Sequence, residues 1–162
     1  IAPEGVSIAT AGWSEVSGVE LHEGAAGSGW DHEPDIGPSP LILPVLLRQM
    51  LPGVPEGRVW TGEWDGWGNR KRPAVSRPLT VPGRRYHVTA TSPRKLLTEL
   101  NTELNPDRLP DVVWDEAGTF IILADIDLPS TVVGCHERIA ERLLRNPGLE
   151  AVRVDGGAPI VT

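Results

Sequence analysis

The apolar positions of this chain follow two periods, and the second half carries them most clearly. Over residues 84–91 they alternate, with Tyr86, Val88 and Ala90 on one side, which predicts a strand. Ser92-Pro93 then offers a cap and a proline suited to the first helical position. Leu96, Leu97, Leu100 and Leu104 follow along one helical stripe, and Asn105-Pro106 ends it. Residues 111–114 read as a short strand, 115–118 (Asp-Glu-Ala-Gly) as a hairpin turn and 119–128 as a long strand. Phe120, Ile122, Ala124, Ile126 and Leu128 form the even face of that long strand. Its odd face begins with Ile121 and Leu123 and turns polar at Asp125 and Asp127. Val132, His136, Ile139 and Leu143 share one helical row, and Val133, Ala140 and Leu144 the next, which predicts a helix over 132–145. Residues 149–154 read as a closing strand.

The first half is less periodic. Residues 5–10 and 16–21 are short strand candidates, and 23–40 read as a Gly- and Pro-rich loop. A short buried helix is expected at 44–51, opened by Pro44 and stopped by Pro52-Gly53. Residues 58–64 alternate as a strand with Trp60, Gly62 and Trp64 on what is taken as its core face, and 69–82 read as a basic, Pro-interrupted loop. The expected fold is therefore α+β, with a mainly antiparallel sheet and helices on one face. The order βαββαβ over 84–154 is ferredoxin-like. Residues 1–57 are expected to form an acidic arm packed on an α+β core of residues 58–162, one domain overall.

Composition changes this picture in two ways. The 162 residues are 40% hydrophobic and 23% charged, which excludes a wholly disordered chain. Of the net charge of −7, all lies in residues 1–57, which hold eight acids against Arg48 alone. Residues 58–162 balance, but no acid falls between Asp65 and Glu99, where Arg70, Lys71, Arg72, Arg77, Arg84, Arg85, Arg94 and Lys95 cluster. The acidic arm is expected to pair with that basic stretch. Net acidity and sparse aromatics among the bases argue against nucleic acid. The longest apolar run, 41–47, is broken by Pro44 and is too short for a membrane span. Cys135 is the single cysteine, so no internal disulfide can form; with no charged-then-apolar leader, a cytoplasmic setting is expected.

Four stretches carry a resemblance: RVWTGEWDGWG (58–68), VPGRRYHV (81–88), DVVWDEAGTFIILADIDLPSTVVGC (111–135) and NPGLEAVRV (146–154). GWSEV (12–16) matches more weakly. The chain resembles a family of actinobacterial, Streptomyces-type hypothetical proteins with no established activity. It departs from that pattern at Gly118, Phe120, Asp125 and Cys135, which stand where the family pattern has Arg, Trp, Glu and Gly. The resemblance implies a fold and a lineage and brings no activity with it.

Few residues suggest chemistry. Asp125 and Asp127, two apart on a strand, point the same way about 7 Å apart and could hold a cation or act as acid and base. Ser130 and Thr131 follow them. The simpler expectation is that Asp125 pairs with an arginine and Asp127 or Ser130 caps a turn. Cys135 and His136 are adjacent, so on a helix they would not face each other. His136 is expected to be partly buried, and Cys135 to lie near a helix N-terminus with a depressed pKa. His22-Glu23 and His32-Glu33 lack the spacing of a zinc site. Trp60, Trp64 and Trp67, with Arg70 and Arg72, form a candidate binding surface, and Trp30 in the acidic arm is a second contact.

The expected function is a non-catalytic protein-binding module, antitoxin- or immunity-like, with no cofactor, no metal and no membrane or nucleic-acid partner. The alternative is a small hydrolase or transferase using Asp125, Asp127 and His87 or His136. A third reading is ligand sensing in the concave face of the sheet.

Overall fold

The computed structural model describes residues 37–54, 57–67, 77–102, 109–125 and 130–156. Helix α1 (Ile42–Met50) continues into a 3₁₀ turn (Leu51–Gly53). Strands β1 (Val59–Trp64), β2 (Arg77–Val81) and β3 (Arg84–Thr91) precede helix α2 (Pro93–Thr102). Strands β4 (Val112–Asp115), β5 (Phe120–Leu123) and β6 (Val132–Cys135) lead to helix α3 (Glu137–Leu144). Ser39 opens α1 by accepting from the Leu41 and Ile42 N–H groups, and Pro44 sits in the first turn where its missing donor has no cost. Ser92 accepts from the Lys95 N–H at 3.3 Å and starts α2 as the sequence suggests.

The strands form one antiparallel sheet in the order β2-β3-β1-β4-β5-β6. One face carries the helices. Leu43, Leu47 and Met50 of α1 pack with Leu96 of α2 and Leu143 of α3 against Val59, Val113, Phe120 and Ile122. Each such side chain contributes roughly 1.5–3 kcal/mol by leaving water. Leu97 joins the same cluster, so α2 and α3 shield one side of the sheet as expected. Arg142 of α3 donates to the Gln49 carbonyl at 2.7 Å, fastening α3 to the end of α1.

The opposite face is also apolar. Tyr86, Val88 and Val112 are buried there, with Trp60, Trp64, Trp114 and Leu123 packed around them. Trp60 and Trp64 thus pack on a core cluster, as expected of them, and it is the cluster on the face opposite the helices. The side facing the helices belongs to Val59, Thr61 and Glu63, the alternate residues of β1.

Three expectations are corrected. Residues 77–81 are not loop but an edge strand, joined to β3 by Pro82-Gly83; Gly83 has φ +76, as the third position of a Pro-Gly turn requires. Residues 132–135 are not the start of a helix. The β-branched pair Val132-Val133 registers on Leu123 and Ile122 of β5, and ladder bonds plus side-chain packing outweigh a helical row that only Ile139 and Leu143 fill. Residues 149–154 form no regular element and join no ladder among the described residues; Arg153 grips Glu137 at the start of α3 instead. Residues 84–154 thus run βαβββα, and β1 sits between β3 and β4, so the ferredoxin-like order is not what forms.

The β4–β5 turn depends on Asp115, which is 1% exposed. One carboxylate oxygen accepts from the Thr119 and Phe120 N–H groups at 2.7 and 3.0 Å, and the other from the Thr119 hydroxyl at 2.8 Å. Gly118, at φ +68, completes the turn where a side chain would be strained. Burial pushes the Asp115 pKa up, but these hydrogen bonds outweigh it and the net shift is downward. A depressed carboxylate stabilises the fold above its unfolded pKa and ceases to as pH falls through the folded one. Asp115→Asn should therefore lower the unfolding free energy by about 1–3 kcal/mol at neutral pH. In urea titrations the gap from the parent should narrow as pH falls below about 4.

Candidate functional site

Strand parity builds the candidate site. Tyr86 on β3, Val112 and Trp114 on β4, and Ile121 and Leu123 on β5 all point to the helix-free side. They line a groove of about 800 Å³, with the more exposed Ile121 at its border. Leu79 and Val81 of β2 wall it on one side. In a flat sheet β2 and β5 would lie about 19 Å apart. That both line one cavity means the sheet coils around it, as strand twist favours. Gly62 lies between Tyr86 and Val112, and Gly134 beside Ile121, so neither raises a side chain into the groove.

One end of the groove is closed by an ion pair. Arg84 donates to both oxygens of Asp125, at 3.3 Å from Nε and 3.1 Å from Nη2, while its guanidinium lies 5.3 Å over the Trp64 ring. Trp64 is held in turn. Asp111, 2% exposed, accepts from the Trp64 N–H at 2.7 Å and from the Trp67 indole N–H at 3.0 Å. A Cβ on Gly66 would meet the Trp64 ring at 2.2 Å, so this turn requires glycine. Asp65 of the same turn accepts from Arg85 Nε at 2.8 Å and contacts His87 Nε2 at 2.6 Å. Burial raises the Tyr86 pKa, and the Asp125 and Asp111 charges raise it further.

At the other end stand Thr119, Cys135 and His136. His136 is exposed and precedes α3 in extended conformation (φ −64°, ψ 149°); the partly buried helical histidine expected from the sequence does not form, because residues 132–135 are strand. Burial and neighbouring Glu137 push the Cys135 thiol up, against the depression expected at a helix N-terminus.

Among the described residues those of the catalytic alternative are not brought together. Asp125, just past the end of β5, closes one end of the groove, and His136, opposite Thr119 before its start, stands at the other. His87, next to Tyr86 on β3, points to the opposite face of the sheet. Asp127 lies outside the described residues, as do Arg70, Arg72, Trp30, His22, Glu23, His32 and Glu33. Of the candidate aromatic surface, Trp60 stacks on Trp114 at 6.4 Å and Trp67 sits edge-on to Trp64 at 5.9 Å, all half-buried. Among the described residues no group of three His, Cys, Asp or Glu side chains could hold a metal ion. No helix of the described residues is long and apolar enough to cross a membrane.

Sequence reasoning missed Arg84, Asp111, Leu79 and Trp114. The one signal available was parity: Tyr86 and Val88, Trp60 and Trp64, and Ile121 and Leu123 are same-side pairs on three strands.

Arg84→Met and Asp125→Asn should each destabilise the fold by about 1–3 kcal/mol. In a double-mutant cycle followed by urea unfolding, the combined variant should fall short of additivity by about 1 kcal/mol. Additive losses would mean that the pair does not act as a unit.

Comparison with protein-family models, with curated proteins and with solved structures returns no match to this chain.

Proposed function

We propose that this chain is a non-catalytic protein-binding module, of the antitoxin or immunity kind, that docks its partner on the helix-free face of the sheet. One observation carries the reading: that face is apolar yet has no helix over it among the described residues, and a groove of about 800 Å³ runs along it. Sheets with two apolar faces normally have both covered, and exposed apolar patches of this kind mark interaction sites.

The polar groups support binding over catalysis. The Asp125 carboxylate is engaged by Arg84 on both oxygens, and Asp111 and Asp115 are occupied with backbone and indole donors. A catalytic base needs a reachable substrate proton, and each donor that satisfies a carboxylate weakens it as a base. The Trp-Asp-Gly turn at 64–66, which carries the actinobacterial resemblance, serves in this reading as a frame for the end of the groove. A single half-buried cysteine fits a cytoplasmic setting.

Ile121 and Leu79 are exposed, so changing them should spare the fold. Full-length protein purified from its native host should retain a partner. Ile121→Glu and Leu79→Glu should weaken that retention at least about tenfold. Leu144→Glu, on an exposed position of α3 away from the groove, should leave it unchanged. Equal retention by all three variants would overturn the reading.

A further inference from the structure

Resting on that docking face, we infer that the occupant of the groove is an uncharged, apolar stretch of the partner's chain laid across the strands. The charges of the groove point to this first. Among the described residues its charged side chains are Arg84 and Asp125, which pair with each other at 3.1 Å and are mostly shielded from water. An acidic or basic group entering beside them must break that pair or stay unpaired over an apolar floor, and either is unfavourable. The imidazole of His136 stands at the opposite, solvent-open end. A neutral lining therefore selects a neutral guest.

The openness of the groove decides between a chain segment and a small molecule. Leu79, Val81 and Ile121 on its borders are 38%, 39% and 47% exposed. A small-molecule site buries most of its ligand and is enclosed to match. A molecule confined to this floor would leave the three apolar borders in water. A polypeptide laid over the groove covers floor and borders together, giving the apolar centre usual for a protein interface. Tyr86, Trp114 and the Arg84 guanidinium supply the residue types that most often anchor such contacts.

The test uses the full-length chain and fluorescein-labelled, end-blocked peptides. One has the sequence Ser-Leu-Val-Phe-Leu-Ser, and two more carry glutamate or lysine in place of the phenylalanine. Nile red serves as an uncharged small-molecule probe. Fluorescence anisotropy should show binding of the neutral peptide, at least about tenfold weaker binding of both charged ones, and little change with added salt. Ile121→Glu should abolish the binding and Leu144→Glu should not. Equal affinity for a charged peptide overturns the inference, as does failure of every peptide to bind. Nile red binding that Ile121→Glu removes, without peptide binding, assigns the groove to a small molecule instead. If Ile121→Glu releases the native partner while the peptides ignore charge, the docking face stands and only the chemistry assigned to its occupant falls.

Discussion

The buried carboxylate of Asp111 holds the working end of this molecule together. Its backbone N–H donates to the Gly62 carbonyl of β1, and its own carbonyl accepts from Ala124 just past β5. Its side chain fixes the Trp64 backbone and the Trp67 indole. One residue thus ties three consecutive strands of the sheet to the turn after β1. The consequence propagates by contact. With Trp64 set, its ring supports the Arg84 guanidinium, and with Arg84 set, Asp125 is drawn over the face of the sheet to meet it. The closed end of the groove is the last link in that series. Removing the Asp111 carboxylate would take this acceptor from two half-buried donors, the Trp64 N–H and the Trp67 indole N–H.

The sheet is unusual in being apolar on both sides while the helices of the described residues cover only one. Its helix side gathers the aliphatic side chains of α1, α2 and α3. Its other side is aromatic and is stiffened by stacking, with Trp60 on Trp114 and Trp64 against Trp67. Rigid aromatic side chains lose little entropy on binding, so such a face is suited to recognition without rearrangement. The edge beside it is guarded. Pro78 in β2 lacks the donor that a further strand would use, so sheet extension at that edge is disfavoured. Contact is thereby steered to the face of the sheet and away from that edge.

What the sequence made legible follows from how local each cause was. Strands β1 and β3, the Ser92-Pro93 start of α2 and the turn closed by Gly118 rest on alternation or on neighbouring residues, and all stand within a residue or two of their expected positions. Strand β2 was hidden because Pro78 and the bases before it read as loop, and Leu79 and Val81 alone are too short an alternation to mark a strand. Strand β6 was hidden because Val132 and Val133 also fit a helical row with Ile139 and Leu143, and only pairing with β5 decides between the two. The site was harder still. Arg84 meets Asp125 across 41 positions and Trp67 meets Asp111 across 44, distances over which no periodicity carries information. The expectation that Asp125 pairs with an arginine came from charge alone; which arginine, and that the pair closes a groove, needed the fold.

The same carboxylates bear on how a catalytic reading and the proposed binding reading divide. A general acid or base works when its environment leaves it poised between protonation states, usually through burial with few donors. Asp115 is buried and yet shifted downward, because the donors around it overcome burial. Asp111 and Asp125 meet the same kind of environment, donors at 2.7–3.3 Å directed at both oxygens. Carboxylates placed this way hold turns, strand ends and an ion pair; they are acceptors that fix geometry. What they fix is a shaped, neutral and aromatic surface, and the free energy such a surface offers a partner lies in the apolar area it removes from water. That is the chemistry the proposed docking would use, with Ile121 and Leu79 as its apolar contacts and the aspartates as the scaffold that shapes the surface.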